Sequence, residues 1–537
     1  MGHRQVGQLV PMLFAVCLLL MSCSDPVSAQ GPQFWNDQAQ LTLQKALQRE
    51  RTLNKNPAKN VVMFVGDGMG ISTVTAARIL KGQKAGKTGE ETVLAWEDFS
   101  SIALSKTYCV DRQVSDSSST ATAFFCGVKA NDATVGLDDR AQFRDCATTI
   151  NASVDSFMVD GHRAGKATGF VTTSRVTHAT PAALYAHSPD RYWEDDEDVP
   201  SEERALGCTD IGAQLVENGK MFEVIMGGGR RELTPRDFID PEYPEKDGHR
   251  EDGRNIIQEW LLNKPLESSK YVWNLDDFNN VDPDETDHLI ALFERSHMQF
   301  EQERMDDEAG EPSLAEMVEK AIQILRKDPD GFFLAVEGAR IDHGHHDGIA
   351  SIALHETLAM EEAVAKAMEL TNEEDTLIIV TADHSHTMTI GSYPKRGNSI
   401  LGLYNYGEGE DDLPFTTLAY ADGPGGELEL ESYNKSGRRR DLSNVDTDHP
   451  EFIQPAIVPR SEESHGGEDV PIYANGPMSH LFHGVHEQNY IAHVIRYAAC
   501  LDGREDCETS SAPSLGGVIP LMVLSTILSV TVYLWNI

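Results

Sequence analysis

The sequence predicts an α/β fold: a central, mostly parallel sheet sandwiched between helices, with an inserted β-rich, crown-like cap. Short, continuously apolar runs recur at 60–66 (NVVMFVG), 168–173, 222–226, 331–336 (GFFLAV) and 376–381 (TLIIVT). A strand that is apolar at every position is covered on both faces. Between these runs lie helix patterns such as 313–326 and 350–368, the alternation that crossover connections in a parallel sheet require. From 392 to 463 the texture changes to Gly, Pro, Asp and short alternating stretches, which predicts the cap, with Arg438, Arg439 and Arg440 exposed in its middle. No internal repeat or long low-complexity linker interrupts the chain.

Taken in order, the chain opens with a basic start, an apolar stretch too short to span a membrane, and Val27-Ser28-Ala29, the pattern of a secretory signal cut after Ala29. A second reading takes Leu20-Met21-Ser22-Cys23 as a bacterial lipoprotein box with the lipid on Cys23. At the other end, 518–537 carries no charge and no basic residue follows it, whereas a true span shows basic residues on its cytoplasmic side. The small residues Thr509, Ser510, Ser511 and Ala512 and a polar spacer precede it, as in a GPI-attachment signal. That reading hangs the mature protein on the outer membrane leaflet, and a plain C-terminal membrane anchor is its alternative.

The formal net charge is −41. Such a surface repels nucleic acid and anionic membranes, so neither is expected as a specific partner. It repels a phosphate ester too, and a site for one would need strong local positive charge, for which metal ions are the obvious source. Of eight cysteines, Cys17 and Cys23 leave with the signal. Cys109, Cys126, Cys146, Cys208, Cys500 and Cys507 remain to staple loops in an oxidising compartment. Asn151 and Asn434 stand in glycosylation sequons.

In a parallel sheet, ligands bind beyond the carboxyl ends of the strands. Three apolar runs end there in metal-type ligands: Asp67, Glu337, and the pair Asp383 and His384. One acidic strand terminator is ordinary; three, with two histidine clusters, are not. Asp342 and His346 add a carboxylate and an imidazole at i and i+4, on one side of a helical turn. Carboxylate oxygen with imidazole nitrogen suits Zn²⁺, and an all-oxygen corner suits Mg²⁺. Asp116-Ser117-Ser118-Ser119 leads into an Ala-rich helical start. Such residues cap helices for structural reasons alone, but a hydroxyl there also lies at the positive end of the helix dipole, beside which an alkoxide or a phosphate is favoured.

Val65-Gly66-Asp67-Gly68-Met69-Gly70, the Asp116-Ser117 turn running on to Cys126-Gly127-Val128-Lys129, Val336-Glu337-Gly338 with Arg340-Ile341-Asp342-His343-Gly344-His345-His346, Thr381-Ala382-Asp383-His384-Ser385-His386 and Ser464-His465-Gly466-Gly467-Glu468-Asp469 occur in this order. Together they resemble the animal, GPI-anchored alkaline phosphatases, over roughly 35–507. The resemblance implies hydrolysis of phosphate monoesters through a phosphoserine on Ser117, with two zinc ions and one magnesium. Asp342, His346 and His465 would hold one zinc, and Asp67, Asp383, His384 and Ser117 the other. Asp67, Thr180 and Glu337 would hold magnesium, with His178 close by. Arg191 would clamp phosphate, its fork holding two oxygens at once, and Asp116 would position Arg191 or Ser117. A calcium site is implied at Glu242, Glu294, Glu311 and the Phe293 carbonyl. Disulfides Cys146–Cys208 and Cys500–Cys507, and a homodimer toward which Tyr393 reaches, are implied likewise. The chain would then divide into a signal peptide (1–29), a catalytic domain in two parts (30–391 and 465–507), the cap between them (392–464) and a removed GPI signal (508–537).

The sequence departs from that pattern at two places. Cys109 is not an expected family cysteine, and is either free or paired with Cys126. Ser118 stands where relatives carry a small glycine or alanine, so the turn and the rate could differ. Two other functions share the scaffold. A sulfatase needs a C/S-x-P-x-R context that is absent after Asp116, and a phosphodiesterase generally uses threonine and lacks the Glu337 and Thr180 corner. A catalytically idle surface receptor would not need every ligand position filled. The expected contacts grip phosphate and none reads the leaving group, which implies broad specificity for small phosphate monoesters.

Overall fold

The computed structural model describes residues 32–503. The expected signal peptide, the lipoprotein box at Cys23, the GPI signal and Cys507 all lie outside the described residues.

Ten strands form one sheet: β1 (Asn60–Gly66), β2 (Ser101–Lys106), β3 (Ala167–Arg175), β4 (Val224–Gly228), β5 (Ser269–Val272), β6 (His288–Leu292), β7 (Phe332–Gly338), β8 (Thr376–Ala382), β14 (Val470–Asn475) and β15 (Gly484–Glu487). Their order is β15-β2-β14-β8-β1-β7-β3-β4-β6-β5. Every pairing is parallel except the two made by β14. Strands β1, β3, β4, β7 and β8 coincide with the five apolar runs, and burial on both faces is the reason. In β1, Val61, Met63 and Val65 join one core while Val62 and Phe64 join the other. Strand β8 splits in the same way, Leu377 and Ile379 against Ile378 and Val380.

Helices cover each face. The Leu314–Leu325 helix and the Ala350–Leu370 helix supply Met317, Val318, Ile322, Met360 and Val364 to one core. On the other face the Tyr490–Ala498 helix supplies Ile491, Val494 and Ile495. The Leu314–Leu325 helix starts where the sequence signals: Ser313 accepts the Glu316 N–H at 3.2 Å and Glu316 accepts the Ser313 N–H at 2.7 Å, a reciprocal cap.

The inserted region holds β11 (Leu418–Gly423) and β12 (Ala456–Pro459), which with β10 (Thr389–Ile390) make a three-stranded sheet. It also holds a 13-residue helix, Pro424–Ser436, that its Gly-rich start concealed. Two further short strands, β9 (Ser385–His386) and β13 (His465–Gly466), pair with each other beside the carboxyl end of β8. The expectation of an exposed arginine triplet holds for Arg438 and is corrected for Arg439 and Arg440, which are partly buried. Arg439 bonds the Asp411 carboxylate and the Pro414 carbonyl, and Arg440 is paired with Glu429 at 3.0 Å, so these cations tie the region's loops together. Cys146 and Cys208 form the expected disulfide, and Cys109 and Cys126 are both free and buried.

Candidate active site

Adjacent strands bring their carboxyl ends to one place. β8, β1 and β7 are neighbours in register, so Asp67 follows β1, Glu337 ends β7, and Asp383 and His384 follow β8 side by side. The chain turns sharply after Asp67 at Gly68, whose φ is +70°, and a Cβ there would stand 2.4 Å from the His386 ring. Only glycine permits both the turn and the close approach. The Gly68 N–H then donates to Asp383 Oδ1 at 2.9 Å.

Ser117 opens the Ser117–Ala121 helix behind the N-cap Asp116, whose carboxylate accepts the N–H groups of Ser118 and Ser119. This buries the Ser117 side chain against the strand ends. Its Oγ lies 3.1 Å from His384 Nε2 and 3.3 Å from Asp67 Oδ1. His384 Nε2 is in turn 3.0 Å from Asp383 Oδ2. The Arg340–His346 helix presents Asp342 and His346 on one side, as the i, i+4 spacing predicts, with His346 Nε2 at 3.3 Å from Asp342 Oδ1. His465 reaches the same point from β13, its Nε2 at 3.2 Å from that of His346 and 3.5 Å from Asp342 Oδ1.

Arg191 Nη1 donates to Asp116 Oδ2 at 3.1 Å and its Nη2 faces His178 Nε2 at 3.3 Å. Burial opposes the Asp116 charge, but Arg191, the Ser118 and Ser119 hydrogen bonds and the Ala133 N–H outweigh it and hold Asp116 below the usual carboxylate range. The structure therefore brings Asp67, Asp383, His384 and Ser117 to one point and Asp342, His346 and His465 to another, with Arg191 tied to Asp116 beside Ser117.

A family model for alkaline phosphatase matches residues 58–501, most of the chain. The chain belongs to the alkaline phosphatase family. It is 48% identical over 513 residues to the tissue-nonspecific alkaline phosphatase of Felis catus, covering 95% of this chain and 96% of that one. With the human tissue-nonspecific isozyme it shares 47% over 520 residues, covering 96% and 98%. Among solved structures, the Thermus thermophilus alkaline phosphatase matches with a TM-score of 0.59 at 23% identity, covering 86% of this chain and 95% of that one, which supports the fold. The chain is thus a hydrolase of phosphate monoesters, of a family that works with divalent metal ions.

The residues present fit such ions. His465 Nδ1 donates to the Ser115 carbonyl at 2.7 Å and His346 Nδ1 to the Glu463 carbonyl at 2.5 Å. Carbonyls only accept, so Nδ1 carries the proton in each ring, and in the neutral form of the rings both Nε2 atoms turn lone pairs toward one another. A cation resolves that repulsion. Asp67 Oδ2, Glu337 Oε1 and Thr180 Oγ1 are buried without a hydrogen-bond partner, a costly state that metal coordination would relieve. Burial, then the carboxylates of Asp383, Asp342 and Glu337, push Asp67 well above the usual carboxylate range. Glu337 is pushed up to about 7, chiefly by burial. Alkaline phosphatase chemistry thus sits on an excess of buried negative charge.

Sequence reasoning missed two members of this site. His386 Nε2 lies 2.7 Å from Asp342 Oδ1, and its Nδ1 is 2.5 Å from Glu463 Oε2. Although burial opposes its charge, the two carboxylates raise His386 to about 10, so it donates from both nitrogens and orients Asp342. The His384-x-His386 spacing just after β8 was a readable signal. Glu463 carried none, because it lies in the inserted region and reaches back over a long sequence distance.

Two other clusters of metal-type side chains stand outside this set. Glu242, Glu294 and Asp307 bring carboxylate oxygens within 4.8 Å of one another, and Glu311, with Oε1 unpartnered, is pushed up to about 9 chiefly by burial and then by Glu294. Asp307 was not among the expected calcium ligands. Its own Oδ2 is also unpartnered. Arg230 bonds Glu242 at 2.6 Å and competes with any ion there. The rings of His178, His297 and His343 also converge. Each, however, accepts from an arginine, His297 from Arg175 at 2.6 Å, His343 from Arg340 at 2.9 Å and His178 from Arg191 at 3.3 Å. A cation there would face three guanidinium groups, so this cluster is not read as a metal site.

Proposed function

We propose that Ser117 is the nucleophile that carries phosphate monoester hydrolysis, and that Arg191 holds the phosphoryl oxygens. The observation that supports it is the Ser117 hydroxyl, buried at a helix start 3.1 Å from His384 Nε2 and 3.3 Å from Asp67 Oδ1. Asp342, His346 and His465 would hold one zinc; Asp67, Asp383 and His384, with Ser117, the second; Asp67, Thr180 and Glu337 a magnesium. When bound, these ions would stabilise the negative charge that develops on the attacking and leaving oxygens. Glu242, Glu294, Glu311 and the Phe293 carbonyl are the proposed ligands of a calcium, with Asp307 beside them.

In the first step Ser117 Oγ attacks phosphorus, the ester P–O bond breaks, and the alcohol departs with the proton that the serine gave up. Arg191 turns its fork to two phosphoryl oxygens and holds the group in line. In the second step water attacks phosphorus from the opposite side, the bond to Ser117 Oγ breaks, the serine regains its proton, and phosphate leaves. Asp116 stays ionised throughout and orients Arg191. No side chain in this reading grips the alcohol, which accounts for breadth across small monoesters.

We further read the enzyme as a homodimer on the cell surface, held by GPI. Leu41, Leu43 and Leu47 on the Pro32–Arg51 helix are about half exposed, and Tyr393 is 86% exposed, apolar surface that a partner subunit would cover. No helix among the described residues is long and apolar enough to cross a membrane.

The test is hydrolysis of p-nitrophenyl phosphate at alkaline pH by wild type and Ser117→Ala, with radiolabelled phosphate trapped on the protein. Ser117→Ala should keep its melting temperature and lose roughly 10³-fold or more in kcat/KM. It should also take up no covalent label. A variant that still turns over at the wild-type rate, or still becomes labelled, would refute Ser117 as nucleophile.

A further inference from the structure

Asp116 Oδ2 receives three donors: the Ser118 N–H at 3.1 Å, the Ser118 hydroxyl at 2.5 Å and Arg191 Nη1 at 3.1 Å. A carboxylate oxygen offers about two lone-pair directions, so the three share an acceptor that suits two. The hydroxyl holds the shortest contact. A guanidinium–carboxylate bond normally lies at about 2.7–2.9 Å and is often forked, and Arg191 has neither the short distance nor the fork. The other oxygen, Oδ1, is occupied by the N–H groups of Ser119 at 3.2 Å and Ala133 at 3.0 Å. The second prong of Arg191 meets only the His178 ring, at 3.3 Å, and no carboxylate.

We propose that Ser118 is a positioning residue that, by occupying Asp116 Oδ2, loosens Arg191 and so weakens the grip on phosphate, substrate and product alike. This rests on reading Arg191 as the phosphate clamp. A loosely tied arginine has to be ordered each time phosphate arrives, and ordering a long side chain opposes binding. Removing the Ser118 hydroxyl returns a lone pair to Arg191, shortens its tie to Asp116, and presents the fork already ordered. The Ser118 N–H and the cap it forms remain. Phosphate would then bind more tightly and leave more slowly.

The experiment uses the full metal-loaded enzyme and measures the Kd of inorganic phosphate by calorimetry, with KM and kcat for p-nitrophenyl phosphate, in wild type, Ser118→Ala, Arg191→Ala and the double variant. Ser118→Ala should lower the phosphate Kd and the KM about three- to tenfold, with kcat falling where phosphate release limits turnover. In the Arg191→Ala background the same change should do nothing. If Arg191→Ala leaves the phosphate Kd at its wild-type value, the clamp reading itself fails. If Arg191→Ala weakens phosphate but Ser118→Ala leaves Kd unchanged or raises it, or acts equally without Arg191, then the role of Ser118 is overturned.

Discussion

At the scale of single residues, buried carboxylates in this protein fall into two kinds, those at the proposed metal positions and those that stand apart. Glu356 is of the second kind: 4% exposed, inside the Ala350–Leu370 helix, accepting the Glu301 N–H at 2.5 Å. Burial outweighs that bond and the attraction of Arg340, and pushes Glu356 up to about 7. The folded state therefore binds a proton that the unfolded chain gives up near the ordinary glutamate value. The contribution of Glu356 to stability is full below that value and is lost as pH rises through about 7. Glu356→Gln keeps a carbonyl acceptor for Glu301 without the charge. Its melting temperature should match wild type at pH 5 and exceed it at pH 9 in thermal scans, and a variant that is less stable at pH 9 would show that the ionised carboxylate contributes favourably after all.

At the scale of elements, the Leu314–Leu325 helix depends on a reciprocal cap whose residues are visible in the sequence. Ser313→Ala removes the acceptor of the Glu316 N–H and should cost about 1 kcal/mol in urea unfolding with activity retained; no loss would mean that tertiary packing alone fixes this start. The same contrast explains how far the fold was legible. Strands β1, β3, β4, β7 and β8 could be read because their interior places make them apolar on both faces. β2 (SIALSK) and β15 (GVHE) lie at the rim, where Ile102 and Val485 are half exposed, and their mixed composition gave no signal. β6 is buried, but its HLIAL run is too short to separate from a helix segment. The Pro424–Ser436 helix was hidden by its glycines. At the site, Asp67, Glu337, Asp383, His384, Asp342 and His346 could be read from strand ends and local spacing, whereas Thr180, Arg191 and His465 came only with the family resemblance. His386 and Glu463 act across the fold on Asp342, and such outer contacts leave little pattern in the chain.

At the scale of the whole molecule, the sheet is what makes a concentration of like charge tolerable. Asp67, Glu337 and Asp383 come from neighbouring strands at its centre, Asp342 from a helix on one face, and His465 from a segment beyond the inserted region. Ions bound there would link elements far apart in sequence, so their binding energy would add to the stability of the fold as one unit. An ion held at a hundred times its Kd adds about 2.7 kcal/mol per site when the unfolded chain does not bind it. Chelation should therefore remove activity and also lower the melting temperature of the entire transition, and zinc with magnesium should restore both together. Asp383→Asn removes one of the opposed charges and one ligand, so its melting temperature should respond less to chelator than that of wild type. Calorimetry with and without chelator decides the matter: a chelated protein that melts where the loaded one does would mean that the carboxylates are accommodated by protonation and local rearrangement, and that the fold does not depend on its metals.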